Sequence, residues 1–212
     1  MNSDNSHRHK KDEHYKKAKR QGYRARSAYK LLEIQKKFNI FKRAFYILDI
    51  GSNPGSWLQV SIEIAEENLE KYNDNHYHRN EYKIMGVDLN HVSPIEGIKI
   101  LKMDATSTEF KQEISSHFND KLDLIISDAS IKKSGNKFSD HVKQIQLCYK
   151  ILDLALEFLK LNGNLVLKSF QGPDFQKLYK DFKKAFNYAK SFKPKASKKK
   201  SNELFLVGMK KK

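Results

Sequence analysis

The sequence predicts an α/β fold, a doubly wound and mostly parallel sheet with helices on both faces. Three observations carry this. Short apolar runs alternate with amphipathic segments of helical period. The stretch Phe45 to Trp57, FYILDIGSNPGSW, runs from a buried strand through a glycine loop into a helix. Acids stand at or just after the ends of four apolar runs: Asp49, Asp88, Asp104 and Asp128. A chain of 212 residues suits one domain with a sizeable core.

The elements follow in order. Residues 1–20 form a basic arm, disordered or weakly helical. Over 27–38, Ala28, Leu31, Leu32 and Phe38 keep helical spacing, and Ser27 is placed to cap the start. Residues 45–50 are the first strand. The helix after it begins near Ser56 and sets Leu58, Ile62, Ala65 and Leu69 on one face. Residues 66–82, EENLEKYNDNHYHRNEY, are polar and read as a flexible loop insertion. His76 and His78 there lack a Cys or a second ligand pair, so no metal is expected. Further strands are predicted at 83–88, 98–102, 122–127, 164–169 and 203–209. Helices are predicted at 140–161 and at 173–186, the latter with Pro173 in its first turn. Residues 21–212 read as a single domain.

Charge is unevenly spread. The net charge is +16, yet residues 44–176 hold 14 Lys/Arg against 19 Asp/Glu. Residues 8–43 hold 14 against 3, and residues 177–212 hold 13 against 2. A mildly acidic centre between two basic flanks points to a polyanion partner. Compositional drift is the bland alternative, since Lys outnumbers Arg 35 to 6. Five of the six arginines (Arg8, Arg20, Arg24, Arg26, Arg43) nevertheless fall in the first flank. Arginine is the better planar phosphate ligand. No apolar run approaches the roughly 20 residues of a membrane span. The lone Cys148 excludes an internal disulfide and lies on an apolar helix face, as a packed thiol would. The N-terminus has no apolar h-region, and Asp4, Asp12 and Glu13 argue against a transit peptide.

The loop after the first strand is not the dinucleotide fingerprint G-x-G-x-x-G. Asp49-Ile50-Gly51 followed by Pro54-Gly55 instead resembles the nucleoside-binding loop of S-adenosylmethionine (SAM) enzymes. Ligands of open α/β sheets bind at the carboxyl ends of the strands. Asp88 is placed to accept from both ribose hydroxyls, and Asp104 from the adenine amine. Gly51, Gly55, Ser56 and Trp57 belong to the loop expected against the methionine part. Leu89, Ala105 and Asp128 complete the expected cofactor set. Each acid alone could equally be a turn or cap residue.

The pieces GYRARSAYKLLEI (22–34), LDIGSNPGSW (48–57), GVDL (86–89), PIEGIKILKMDAT (94–106), DLIISD (123–128), LVLKSFQG (165–172) and KPKASKKKSNELFLV (193–207) are similar, in order and spacing, to FtsJ/RrmJ-type RNA 2′-O-ribose methyltransferases. The resemblance spans about residue 15 to residue 209. It implies a Rossmann-like class I SAM-dependent methyltransferase fold acting on RNA. It also implies a Lys-Asp-Lys-Glu tetrad at Lys30, Asp128, Lys168 and Glu203, with Lys168 as base and Lys30 as helper. Asp128 would orient Lys168, and Glu203 would position the hydroxyl or hold a lysine. Lys168 ends an apolar strand, where an idle ammonium is costly. By composition alone Lys30 is anonymous, and Glu203 could pair with a surface lysine. Two departures stand out. Asp128-Ala129-Ser130-Ile131 replaces the family's Asp-x-Ala-Pro, which should loosen the loop before Gly135. Ser52-Asn53-Pro54-Gly55-Ser56 replaces a loop of small residues and paired glycines.

The tracts at 94–106 and 193–207 resemble the bacterial and organellar members that modify a uridine ribose in large-subunit ribosomal RNA. Members acting on tRNA anticodon loops are the runner-up, and a catalytically idle RNA-binding ribosome-assembly factor is the reading of another class. Under the leading reading Lys193–Lys200 and the arm grip RNA phosphates. The resemblance implies a mitochondrion or other organelle, or the cytoplasm or nucleus if the N-terminus is complete as given. A monomer is expected, with no membrane and no metal.

Overall fold

The computed structural model describes residues 13–198 and 200–212. The first part of the expected arm (1–12, with Arg8) and Lys199 lie outside the described residues. The elements run α1 (Glu13–Arg20), α2 (Ala28–Phe38), β1 (Tyr46–Ile50), α3 (Ser56–Lys71), β2 (Lys83–Asp88), β3 (Lys99–Lys102) and α4 (Thr108–Phe118). They continue β4 (Leu122–Ser127), α5 (Lys137–Phe158), β5 (Leu159–Phe170), α6 (Phe175–Ala185), β6 (Phe186–Phe192) and β7 (Glu203–Lys211).

The strands form one sheet ordered β3-β2-β1-β4-β5-β7-β6. The first five are parallel, and β7 runs antiparallel to both β5 and β6. Strand order reverses between β1 and β4, which opens a crevice at their carboxyl ends. Both faces of the sheet are covered, so the central strands are apolar on both sides. Along β1, Leu48 and Ile50 enter one core with Phe110, Ile151 and Phe182, from α4, α5 and α6. Ile47 enters the other core with Leu31 and Leu58, from α2 and α3. The same alternation separates Ile125 from Leu124 and Ile126 in β4.

Several expectations need correction. Helix α3 continues through Lys71, so the loop expected over 66–82 begins at Tyr72. The polarity of 66–71 misled because Asn68, on the inner face, is a buried donor. Its Nδ2 reaches the carbonyls of Phe41 (2.7 Å) and Ala44 (3.0 Å). Nor is 72–82 loosely held. Tyr77 donates to the Asp123 carboxylate at 2.5 Å, Arg79 Nε donates to Tyr77 Oη, and Arg43 pairs with Asp74. Ser27 does not cap α2; its hydroxyl pairs with that of Ser56 instead. Pro173 precedes α6, whose first residue is Phe175. Strand β6 was not anticipated. As an edge strand it buries one residue in seven, which leaves no apolar alternation to read.

Candidate active site

Four strand ends build a cleft on the carboxyl edge of the sheet. It is lined by Gly51, Asp88, Leu89, Asp104, Ala105 and Asp128 from the expected set. Asn53, Asn90, Met103, Ser130 and Leu147 line it as well. Asn53 and Ser130 lie in the two departing loops, Asn90 and Met103 arrive just after β2 and β3, and Leu147 comes from α5. Asp88 spends part of its carboxylate locally, accepting from Asn53 N (3.0 Å) and Asn90 N (2.7 Å). Asp104 Oδ1 closes a turn on Thr106. The turn-residue reading is thus met for that oxygen while the side chain still faces the cleft. Gly51 has φ of 80°, and a Cβ there would stand 2.5 Å from the Ala129 backbone. Only glycine lets the loops after β1 and β4 meet so closely.

Gly55, Ser56 and Trp57 do not line this cleft. They form the first turn of α3, which points inward and fastens α2 to the back of the loop. Ser56 is buried, and the Trp57 indole donates to Ser27 O at 2.9 Å. A Cβ on Gly55 would stand 2.7 Å from the Arg24 guanidinium. That guanidinium donates to the carbonyls of Pro54, Ser93 and Pro94. Arg24 therefore joins two loops, and Arg43 is taken by Asp74; neither is free to serve as the phosphate ligand expected of it.

Buried polar atoms without partners gather beside the same crevice. Both carboxylate oxygens of Asp49 and the Ser52 hydroxyl make no hydrogen bond, while Asp128 Oδ1 faces the ammoniums of Lys168 and Lys30 at 3.2 and 3.6 Å. Burial pushes the Asp49 carboxyl well above its usual range, and the charges of Asp128 and Asp88 add to that. Orphaned groups of this kind are costly unless a ligand completes them. The cleft-lining carboxylates of Asp88, Asp104 and Asp128 can accept what a nucleoside with hydroxyls, an amine and an ammonium donates, so the residues present fit SAM.

Next to the cleft the tetrad assembles from four distant segments. Lys30 Nζ lies 2.7 Å from Glu203 Oε1 and 3.6 Å from Asp128 Oδ1. Lys168 Nζ donates to the Asp128 carbonyl at 2.8 Å and lies 3.2 Å from Oδ1. It is 3.8 Å from Glu203 Oε2. Strand direction explains how Glu203 arrives. Because β7 is antiparallel to β5, its first residue pairs with Phe170, at the end of β5. Burial works to raise the Glu203 carboxyl, but Lys30, Lys168 and the Ser197 hydroxyl hold it below the usual range. Beneath the cluster, Cys148 is buried and donates to Lys168 O; burial pushes its thiol up to about 11. It is the packed thiol the sequence suggested.

The loop after Asp128 is held more firmly than its missing proline implied. Ile131, in the proline's place, keeps an N–H and donates it to Gln144 Oε1 at 3.1 Å. Asp140 accepts from the N–H and hydroxyl of Ser134 farther along. The two basic flanks also meet. Ala18 of α1, Tyr29 of α2 and Ala196 pack together, which sets Lys16, Lys19, Lys195 and Lys198 on exposed surface around one small core.

Sheet order, switch-point cleft and strand-end acids define a Rossmann-like class I methyltransferase. The chain belongs to the FtsJ-like methyltransferase family, whose profile matches residues 23–211. It is 38% identical to ribosomal RNA large subunit methyltransferase E of Methanocella arvoryzae, over 94% of this chain and 72% of that protein. The protein of the same name from Ehrlichia chaffeensis is 36% identical, with 96% and 90% covered. Among solved structures, a Plasmodium falciparum chain described as a ribosomal RNA methyltransferase superposes with a TM-score of 0.74. It is 27% identical, with 89% of this chain and 98% of that chain covered. As a member of the family this protein uses SAM as its methyl donor.

Proposed function

We propose that this protein methylates a ribose 2′-hydroxyl of a uridine in large-subunit ribosomal RNA, as a monomer, on the large subunit or its precursor. The convergence of Lys30, Asp128, Lys168 and Glu203 beside the acid-lined cleft carries this reading. The name shared by the relatives supports ribosomal RNA as substrate. That one chain brings every group of the site together supports a monomer. The basic surface around Tyr29 supports phosphate contacts on both sides of the site. We read residues 1–20 as the arm and 21–212 as the catalytic domain.

Asp88 and Asp104 would hold the nucleoside of SAM, and Asp128 would face its charged end. Bound SAM supplies a sulfonium methyl, an electrophile that needs no metal. A ribose hydroxyl attacks poorly until its proton is leaving, so a base is required. Lys168 Nζ takes that proton. The Lys30 ammonium then remains to balance the two carboxylates. Asp128 orients Lys168 through its carbonyl and Oδ1. Glu203, held by Lys30, keeps Lys168 in place against the hydroxyl. Positioning of this kind supplies much of the rate in such a transfer.

Labelled SAM incubated separately with large-subunit RNA, ribosomal particles and tRNA, followed by nucleotide mapping, tests the reading. A 2′-O-methyluridine in large-subunit RNA is expected. Label on tRNA alone, or on a base atom, overturns it. SAM binding with no transfer to any RNA would leave an assembly factor.

A further inference from the structure

Glu203 is not held by Lys30 alone. Its Oε1, which takes the Lys30 ammonium at 2.7 Å, also accepts the Ser197 hydroxyl at 2.8 Å. Ser197 is buried, in a loop that was expected only to grip RNA. That loop is built for a fixed shape. Pro194 and Ala196 are buried, and Ser197 N donates to Pro194 O at 3.0 Å, closing a turn. Glu33 clamps the turn from α2. Its Oε2 accepts Lys195 N at 2.6 Å and its Oε1 accepts Ala196 N at 2.9 Å. Two adjacent backbone N–H groups on one carboxylate make a charge-assisted clamp, stronger than a neutral pair.

Lys30 and Glu33 stand one helical turn apart, three residues along the same face of α2. The helix therefore reaches Glu203 twice, directly through Lys30 and indirectly through Glu33, the 195–196 backbone and Ser197. With two donors on Oε1, the carboxylate cannot rotate without losing both. Its Oε2 stays the oxygen facing Lys168.

We propose that Ser197 and Glu33 are positioning residues of the methyl transfer: Ser197 fixes the Glu203 carboxylate against Lys30 and Lys168, and Glu33 fixes Ser197. The kinetic part of this rests on the methyltransferase reading; the effect on Glu203 does not. Three further charged groups surround Glu203: Lys30 from α2, Lys168 from β5 and, behind them, Asp128 from the loop after β4. The Ser197 hydroxyl acts with both lysines to hold the carboxyl low. Removing that donor raises the Glu203 pKa, so the acid limb of the kcat profile moves to higher pH.

The decisive measurement is an NMR titration of the 13C-labelled Glu203 carboxyl in the full-length protein without RNA. Ser197→Ala and Glu33→Gln should each move it upward, Ser197→Thr should leave it as in the wild type, and the double variant should add little to either change. In turnover, Ser197→Ala should lower kcat about ten-fold, the scale of one hydrogen bond to a charged group, with KM for RNA unchanged. A Glu203 titration that stays put in Ser197→Ala overturns the proposal, and so does a fall in kcat without that movement. If Glu33→Gln does not fold, the alanine and threonine variants of Ser197 carry the test. A wild type that methylates no RNA would sink the functional reading alone, because the titration is read without turnover.

Discussion

Strand β4 has an acid at each end, and the two are treated differently. Asp123, at the amino end, is buried and fully partnered. Its Oδ2 accepts from Phe45 N (2.7 Å) and Tyr46 N (2.9 Å). Its Oδ1 takes Tyr77 Oη at 2.5 Å and the Lys160 ammonium at 2.6 Å. Asp128, just past the carboxyl end, has an oxygen met only by two ammoniums, Lys168 at 3.2 Å and Lys30 at 3.6 Å. Asp49 on the neighbouring strand has no partner for either oxygen. One edge of the sheet completes its buried charges and gains a pinned loop. The other holds Asp128 in an ion-pair cluster beside the cleft and keeps the Asp49 carboxyl without a partner, a pattern typical of functional sites.

Substitutions at the two edges should separate activity from stability. Lys168→Ala should lower kcat by about 10³-fold, within the range of a lost general base. SAM affinity by calorimetry and the urea midpoint should stay near the wild type. Substantial turnover in that variant would remove Lys168 as the base. Asp123→Ala should do the reverse. It leaves Lys160 and two backbone donors without their acceptor, at a cost of about 3 kcal/mol by urea unfolding. The folded fraction should keep its kcat. Equal losses of stability at both ends would dissolve the distinction. The smallest effect belongs to the basic face. Lys195→Ala with Lys198→Ala should flatten the log–log salt dependence of RNA binding by about one to two units. An unchanged slope would take that face out of contact with the substrate.

Legibility differed by residue for physical reasons. Strand β1, the glycine loop and the acids at 88, 104 and 128 were readable because each is local. An apolar run, a residue with positive φ and a carboxylate at a strand end all occupy a few consecutive positions. Trp57 is buried against α2 instead of lining the cleft, because a first-turn residue can face either side and sequence spacing does not distinguish the two. Arg24 and Arg43 looked like phosphate ligands because charge shows in the sequence and carbonyl partners do not. Asn68 hid a helix for the same reason. Glu33 was invisible, since one acid on a lysine-rich helix says nothing of the backbone it will meet 162 residues later.

The sequence by itself determined the alternation of strands and helices, the acids at the switch point and the basic flanks. Hydrophobic period and charge are properties of the chain before it folds. Only the tertiary structure decided which of these residues act together. Parallel strands deliver Asp128 and Lys168 to one edge, and the reversal of β7 brings Glu203 back to meet them. Helix α2 then adds Lys30 to the cluster, and through Glu33 and Ser197 a second hold on Glu203. Contacts between segments so far apart in the chain depend on strand direction and packing, and no local pattern records them.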